Sequence, residues 1–216
     1  MDFQIWQYFF ITTLVVSLSP GPGAIAAMGV GLNHGFRRGQ VVAFGLALGV
    51  WTQLLVVGVG LGALLATSET AFSVIKWIGA AYLVWLGIQQ WRSPASPITE
   101  EQATGNQAAT ADPVHLRRSL FLRGWMVNAL NPKGTVFLLA VMPQFIVPDQ
   151  ALAPQYLTIA ATFGVVECCV MTGYVALASK VLGLLREPNQ IRWMNRSFGS
   201  LFIAAGLFLA SFKRAA

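Results

Sequence analysis

Asn131-Pro132-Lys133-Gly134 stands in the middle of an otherwise apolar stretch that runs from Leu120 to Ile146. Proline removes a backbone donor and clashes with the preceding turn, and the lysine beside it brings a full charge into the span. An inert membrane helix has no use for either. In a bilayer, interrupted backbone and charge at mid-depth are tolerated where they are buried in protein or line a water-filled cavity, so the motif marks a candidate functional site. A matching interruption, Ser19-Pro20-Gly21-Pro22-Gly23, divides the earlier apolar stretch from Phe3 to Leu32. Two broken segments, one in each half of a chain, are the sequence pattern of a transporter binding site.

The surrounding composition sets the class. Of 216 residues, 56% are hydrophobic and 10% charged, against a charged share of about 25% in soluble domains. Val41 to Ala66 carries no charge, and Tyr156 to Ser179 carries Glu167 alone; both exceed the ~18 apolar residues that a membrane span needs. Six spans fit an all-α integral membrane protein. The net charge of +6 does not read as a nucleic-acid face, because the basic residues lie in short loops between apolar spans. Ten of the fourteen Lys and Arg fall in the first, third and fifth loops: Arg37 and Arg38; Arg92, Arg117, Arg118 and Arg123; Lys180, Arg186, Arg192 and Arg196. The positive-inside rule then places both termini on the periplasmic side, with Lys213 and Arg214 opposing it. The amino terminus lacks a basic n-region and reads as the first span.

Taken in order, the chain predicts two three-helix units, 1–92 and 117–216, joined by a polar cytoplasmic linker, 93–116, rich in Pro, Thr, Ala and Gln. An odd number of spans per unit makes the repeats inverted, with helices 1 and 4 broken at their prolines. Ser19 before Pro20 and Asn131 before Pro132 read as N-cap and N1 pairs, so a half helix is expected to restart at each. Asn33 to Gly39 reads as a short basic turn. Gly45-x-x-x-Gly49 and Gly58-x-x-x-Gly62 allow close helix approach, for packing inside one subunit or for a homodimer. Gln53 needs a polar partner, supplied by the substrate route or by a neighbouring helix. Cys168 and Cys169 are adjacent, which excludes a disulfide framework and a spaced metal site.

Helix amino ends that approach each other from opposite faces make an anion site, suited to a substrate carboxylate. Lys133 adds a formal positive charge there, and Glu167 is the one acid inside a span. Each charge costs about 2.5 to 3.5 kcal/mol on insertion scales, so something must offset the pair. One reading is a structural ion pair between them. The other is a zwitterion bridge, with Lys133 and the helix ends holding an α-carboxylate while Glu167 holds the ammonium group or exchanges a proton. Burial disfavours a charged carboxylate and a nearby cation favours it, which suits a group that loads and releases protons. The candidate substrate-binding residues are Ser19, Pro20, Gly21, Pro22, Gln53, Asn128, Asn131, Pro132, Lys133 and Glu167, with Glu167 also the candidate for proton coupling.

Several motifs together resemble the LysE/RhtB superfamily of amino-acid exporters: Ser17-Leu18-Ser19-Pro20-Gly21-Pro22-Gly23, Leu32-Asn33-His34-Gly35, Lys76-Trp77-Ile78-Gly79-Ala80-Ala81-Tyr82-Leu83, Asn131-Pro132-Lys133 and Phe198-Gly199-Ser200-Leu201-Phe202. The resemblance covers nearly the whole chain outside the linker. It implies export of small neutral amino acids of the homoserine, homoserine lactone or threonine kind from the bacterial cytoplasm across the inner membrane, in exchange for protons and without a cofactor. It also implies that the two proline-broken motifs form the central site. Members of the family usually carry aspartate where this chain has Glu167.

Two other classes fit less well. A membrane thiol-electron conveyor can also be built from inverted three-span halves, but it needs a cysteine at each break, where this chain has Ser19 and Asn131. A channel or non-transporting subunit would need, for an ion filter, rings of charge or carbonyls that one lysine and one glutamate do not make. An enzyme is disfavoured because no His-Asp-Ser set, metal cluster or phosphate-cradling loop stands out.

Overall fold

The computed structural model describes residues 1–65, 69–94, 113–147, 150–178 and 187–211. Those residues form seven α-helices and one 3-10 turn, without a strand among them. In chain order the helices are α1 (Phe3–Leu18), α2 (Pro22–Leu65), α3 (Glu69–Arg92), α4 (Pro113–Ala129), α5 (Pro132–Val141), α6 (Leu152–Ala176) and α7 (Pro188–Ser211), with the 3-10 turn Met142–Phe145 after α5. Residues 95–112 of the expected linker, Lys180, Arg186, Lys213, Arg214 and the Lys76 side chain lie outside the described residues.

Proline chemistry sets the helix ends. A residue that precedes proline is pushed out of the helical region, and both Ser19 (φ −69°, ψ 114°) and Asn131 (φ −74°, ψ 109°) are extended. Asn131 is the N-cap of α5, its Oδ1 accepting from the Lys133 N–H at 3.1 Å. Ser19 departs from the expected N-cap role. It closes α1 instead, its N–H donating to Val15 O at 3.1 Å and Val16 O at 3.2 Å. The restart comes at Pro22, with Gly21 O accepting from the Ile25 N–H at 3.0 Å. The second proline explains the shift, because Pro22 keeps Gly21 from being helical and so delays the start.

Three more boundaries differ from the sequence reading. The basic turn at Asn33 to Gly39 contracts to one break at Gly35, whose φ of 76° and ψ of 173° split α2 into two helical parts. Glycine occupies that conformation freely, and a side chain there would be strained. Helices α4 and α7 begin at Pro113 and Pro188, before the apolar stretch that opens at Leu120 and before the sixth span expected from Ser197, because proline suits the first helical turn.

Glycines bring the helices together. A methyl group built on Gly124 of α4 would lie 2.5 Å from Val42 O on α2, and one on Gly49 would lie 2.7 Å from Trp125 O on α4. The pair α3 and α7 crosses reciprocally: a methyl on Gly87 would meet Gly199 O at 2.6 Å, and one on Gly199 would meet Gly87 O at 2.7 Å. Gly45 and Gly49 therefore serve packing within the chain, which accounts for that motif without a second copy. Gly58 lies against the Tyr156 ring. Helix α1 packs on α6, and α5 fills the space beside α2 and α3 around a core of Phe9, Leu83, Phe137, Met142 and Phe163.

Outward faces are apolar as well, with Leu55, Val59, Ile78 and Leu157 all more than 60% exposed. Such faces need a non-aqueous surrounding. The crossings also give a stability test. Gly199→Leu is expected to destabilise the purified protein by about 1 to 3 kcal/mol or more, because backbone stands where the side chain must go. Gly60→Leu, with open space around it, is expected to leave the melting temperature in detergent nearly unchanged.

Candidate functional site

Glu167, twelfth in the apolar stretch from Tyr156 to Ser179, is 5% exposed in the middle of α6. Its two oxygens have separate partners. Oε2 accepts from Ser17 Oγ on α1 at 2.8 Å, and Oε1 accepts from Asn128 Nδ2 on α4 at 2.7 Å. The same Asn128 amide donates to Leu46 O at 3.0 Å, so α1 and α4 bond the α6 carboxylate and α2 is tied in through Asn128. Ser17 reaches it because Phe9, Thr13 and Ser17 form the buried stripe of α1, spaced one turn apart.

Lys133 opens α5 beside the other break. Its Nζ donates to Ser19 Oγ at 2.8 Å and, more weakly, to Ser19 O at 3.4 Å, and it sits 5.0 Å from the centre of the Phe202 ring. Gln53 ties the second strand of the break in place, its Nε2 donating to Asn131 O at 2.7 Å and Thr135 Oγ1 at 2.9 Å. It can lie there because Gly134 has no side chain, where a methyl would meet Gln53 Oε1 at 2.5 Å. Gln53 thus has a polar partner on a neighbouring helix, one of the two expected for it.

The two charges do not bond each other. Two charge-assisted bonds at about 1.5 to 3 kcal/mol each are enough to offset the ~2.5 to 3.5 kcal/mol of inserting one carboxylate, so Glu167 needs no ion pair to be tolerated. The direct Lys133–Glu167 pair considered from sequence is replaced by neutral partners on each side. Both groups have capacity left. An ammonium has three donors and Lys133 uses two on protein, while a carboxylate offers about four lone-pair sites and Glu167 uses two among the described residues.

Lys133 and Glu167 line one inner cavity of about 50 Å³ together with Ser17, Ser19, Gln53 and Asn128. At a liquid share of about 30 Å³ per water, that space suits one or two waters, well below the ~300 Å³ of a typical ligand pocket. Polar groups from both halves of the chain thus surround a contracted space at the two breaks.

The sequence profile of LysE type translocators matches residues 14–212. This chain belongs to that family. It is 43% identical over the full length of both chains to the homoserine/homoserine lactone efflux protein of Salmonella typhi. It is 41% identical to an uncharacterised membrane protein of Vibrio cholerae serotype O1, over 99% of this chain and 100% of that one. To the leucine efflux protein of Klebsiella pneumoniae it is 25% identical, over 98% of each chain. No solved structure matches it. It is a membrane protein of an amino-acid efflux transporter family.

Within this LysE type translocator the sequence candidates separate into two groups. Ser19, Gly21, Gln53, Asn128, Asn131, Lys133 and Glu167 line the inner cavity. Pro20, Pro22 and Pro132 line a second, outer cavity of about 830 Å³, which Gly21, Asn131 and Lys133 also border. The sequence reading missed Ser17 as a partner of Glu167, Thr135 as a partner of Gln53, and Tyr174, whose hydroxyl donates to Leu18 O at 2.7 Å and holds the end of α1. Thr13 and Ser17, one helical turn apart in the apolar α1, were the available signal for the first.

Proposed function

We propose that this LysE type translocator exports small neutral amino acids, of the homoserine, homoserine lactone and threonine kind, across the bacterial inner membrane in exchange for protons. The observation that carries this reading is the inner cavity, where a cation with an unused donor and a carboxylate with unused acceptors face one space between two helix breaks. A zwitterion matches that pair: its carboxylate goes to Lys133 and its ammonium to Glu167. One buried acid balances one ammonium, which disfavours substrates with a second positive charge. The homoserine/homoserine lactone efflux protein of Salmonella typhi, 43% identical over the whole chain, supports the same substrate class.

In this reading six spans form two inverted three-helix units, 1–92 and 117–216, with the 93–116 linker in the cytoplasm and both termini in the periplasm. The first broken span is α1 with α2 up to Gly35, and the second is α4 with α5. Packing supports the pairing, because α1 on α6 in one direction matches α4 on α2 in the other, while α3 and α7 meet at reciprocal glycines. Exchange of the proton falls to Glu167, and binding to the ten residues named from sequence together with Ser17.

Counterflow in proteoliposomes across a panel of radiolabelled amino acids tests the proposal. Small hydroxylated neutral substrates are expected to give saturable flux that responds to a pH gradient, and lysine and arginine to give little. A purified protein without saturable flux for any of the panel would overturn the transport reading.

A further inference from the structure

We infer that the outer cavity is a loading station that recognises the carboxylate of the substrate before it enters the inner cavity; the inference rests on the export reading above. The outer space is about 830 Å³ against about 50 Å³ inside, so it is the one of the two already large enough for a small amino acid. Among the described residues, its charged lining residues are Arg92 and Lys133, with no Asp or Glu. The inner cavity has the opposite feature, Glu167. A zwitterion is therefore sorted along its length, carboxylate on the Arg92 side and ammonium leading inward.

The remaining lining supports a small, partly apolar guest. Tyr82 and Trp85 stand with ring centroids 5.4 Å apart, Phe202 also lines the space, and Gln89 and Gln90 supply amides. Gln90 is already committed, donating to Asn195 Oδ1 at 2.8 Å; Arg92 is exposed at the end of α3. Gly21, Asn131 and Lys133 border both cavities, and Lys133, the charged one of the three, has its Nζ held by Ser19 from the other half of the chain, which makes that contact the partition in this inference. A carboxylate makes a stronger, charge-assisted bond to an ammonium than a serine hydroxyl does. A substrate carboxylate handed from Arg92 to Lys133 thus displaces Ser19 and opens the way in. For a substrate that carries a carboxylate, the lock is undone by the functional group that the station reads; the lactone, having none, passes without that assistance.

Homoserine and its lactone separate this idea from a general structural effect, since the lactone has an ammonium but no carboxylate. In everted vesicles, Arg92→Gln is expected to raise the KM for homoserine about fivefold to tenfold, less than the loss of a buried charge-assisted bond because Arg92 is exposed to solvent, while the KM for the lactone changes by less than about twofold. An equal change for both probes, or an unchanged KM for homoserine, would overturn the loading station. Calorimetric titration of both probes into the detergent-purified proteins keeps the two proposals distinguishable. Homoserine binding that weakens in Arg92→Gln without any flux in the unaltered protein removes the transport reading alone, and binding that ignores Arg92 removes the station alone.

Discussion

Glu167→Gln is expected to leave the protein folded and to uncouple its transport from the pH gradient. The carboxylate accepts from Ser17 at 2.8 Å and from Asn128 at 2.7 Å. A glutamine in the same place keeps its carbonyl for the Asn128 amide and donates its own N–H to Ser17, whose hydroxyl turns from donor to acceptor. Shape and hydrogen bonding survive, and the titrating group does not. At one proton per substrate, a gradient of about one pH unit sustains a substrate ratio of about tenfold, equivalent to about 1.4 kcal/mol. Proteoliposomes with the unaltered protein and a clamped membrane potential are expected to approach that ratio. Those with Glu167→Gln are expected to stop at equal concentrations while still exchanging labelled for unlabelled substrate. A glutamine variant that builds the full gradient would remove Glu167 from the proton path.

The second large effect is expected at Lys133. Lys133→Met keeps a flexible stem beside Phe202 and deletes the charge that Ser19 holds. Truncating one member of a buried charge interaction costs about 2 to 5 kcal/mol, so the KM for homoserine in counterflow is expected to rise about 30-fold or more. Stability should not follow. Removing the cation also removes an insertion cost of about 2.5 to 3.5 kcal/mol, which offsets the bonds lost to Ser19. The melting temperature in detergent is therefore expected to hold or rise as affinity falls, and an unchanged KM would deny Lys133 its role toward the carboxylate. Lysine to arginine is a poorer control than it looks, since the planar guanidinium needs a wider site than the Ser19 side chain leaves.

How far the sequence reaches can be judged residue by residue. The apolar stretches, the two prolines that force Ser19 and Asn131 into extended backbone, and the rarity of charge within spans were all readable, because each depends on local chemistry. That reading picked out seven residues that line a single cavity, from stretches more than a hundred residues apart. What escaped it depends on three-dimensional partnership. Nothing local says that Ser17, rather than Lys133, bonds Glu167, because that choice follows from how α1 lies on α6. The start of α2 was misplaced because Pro20 and Pro22 compete for the first helical turn, and the second wins through its effect on Gly21. The composition of Asn33 to Gly39 suggests a turn of several residues, whereas the single positive φ at Gly35 is enough to turn the chain.

The glycine crossings decide which parts of the molecule can yield. Where Gly45 and Gly124 join α2 to α4, and Gly87 and Gly199 join α3 to α7, backbone rests directly on backbone, leaving little compliance at either seam. Helix α1 contains no glycine and is moored to α6 by side chains, at Trp6 to Thr162 and Ser17 to Glu167, while Gly134 of α5 abuts the Gln53 side chain. Side-chain moorings can be released and remade as rotamers change, whereas the seams cannot part without shifting whole helices. The four-helix frame is accordingly the stiffer part, and on the transport reading proposed above the swelling that admits a guest falls to α1 and α5, the two short helices that end and begin at the proline breaks.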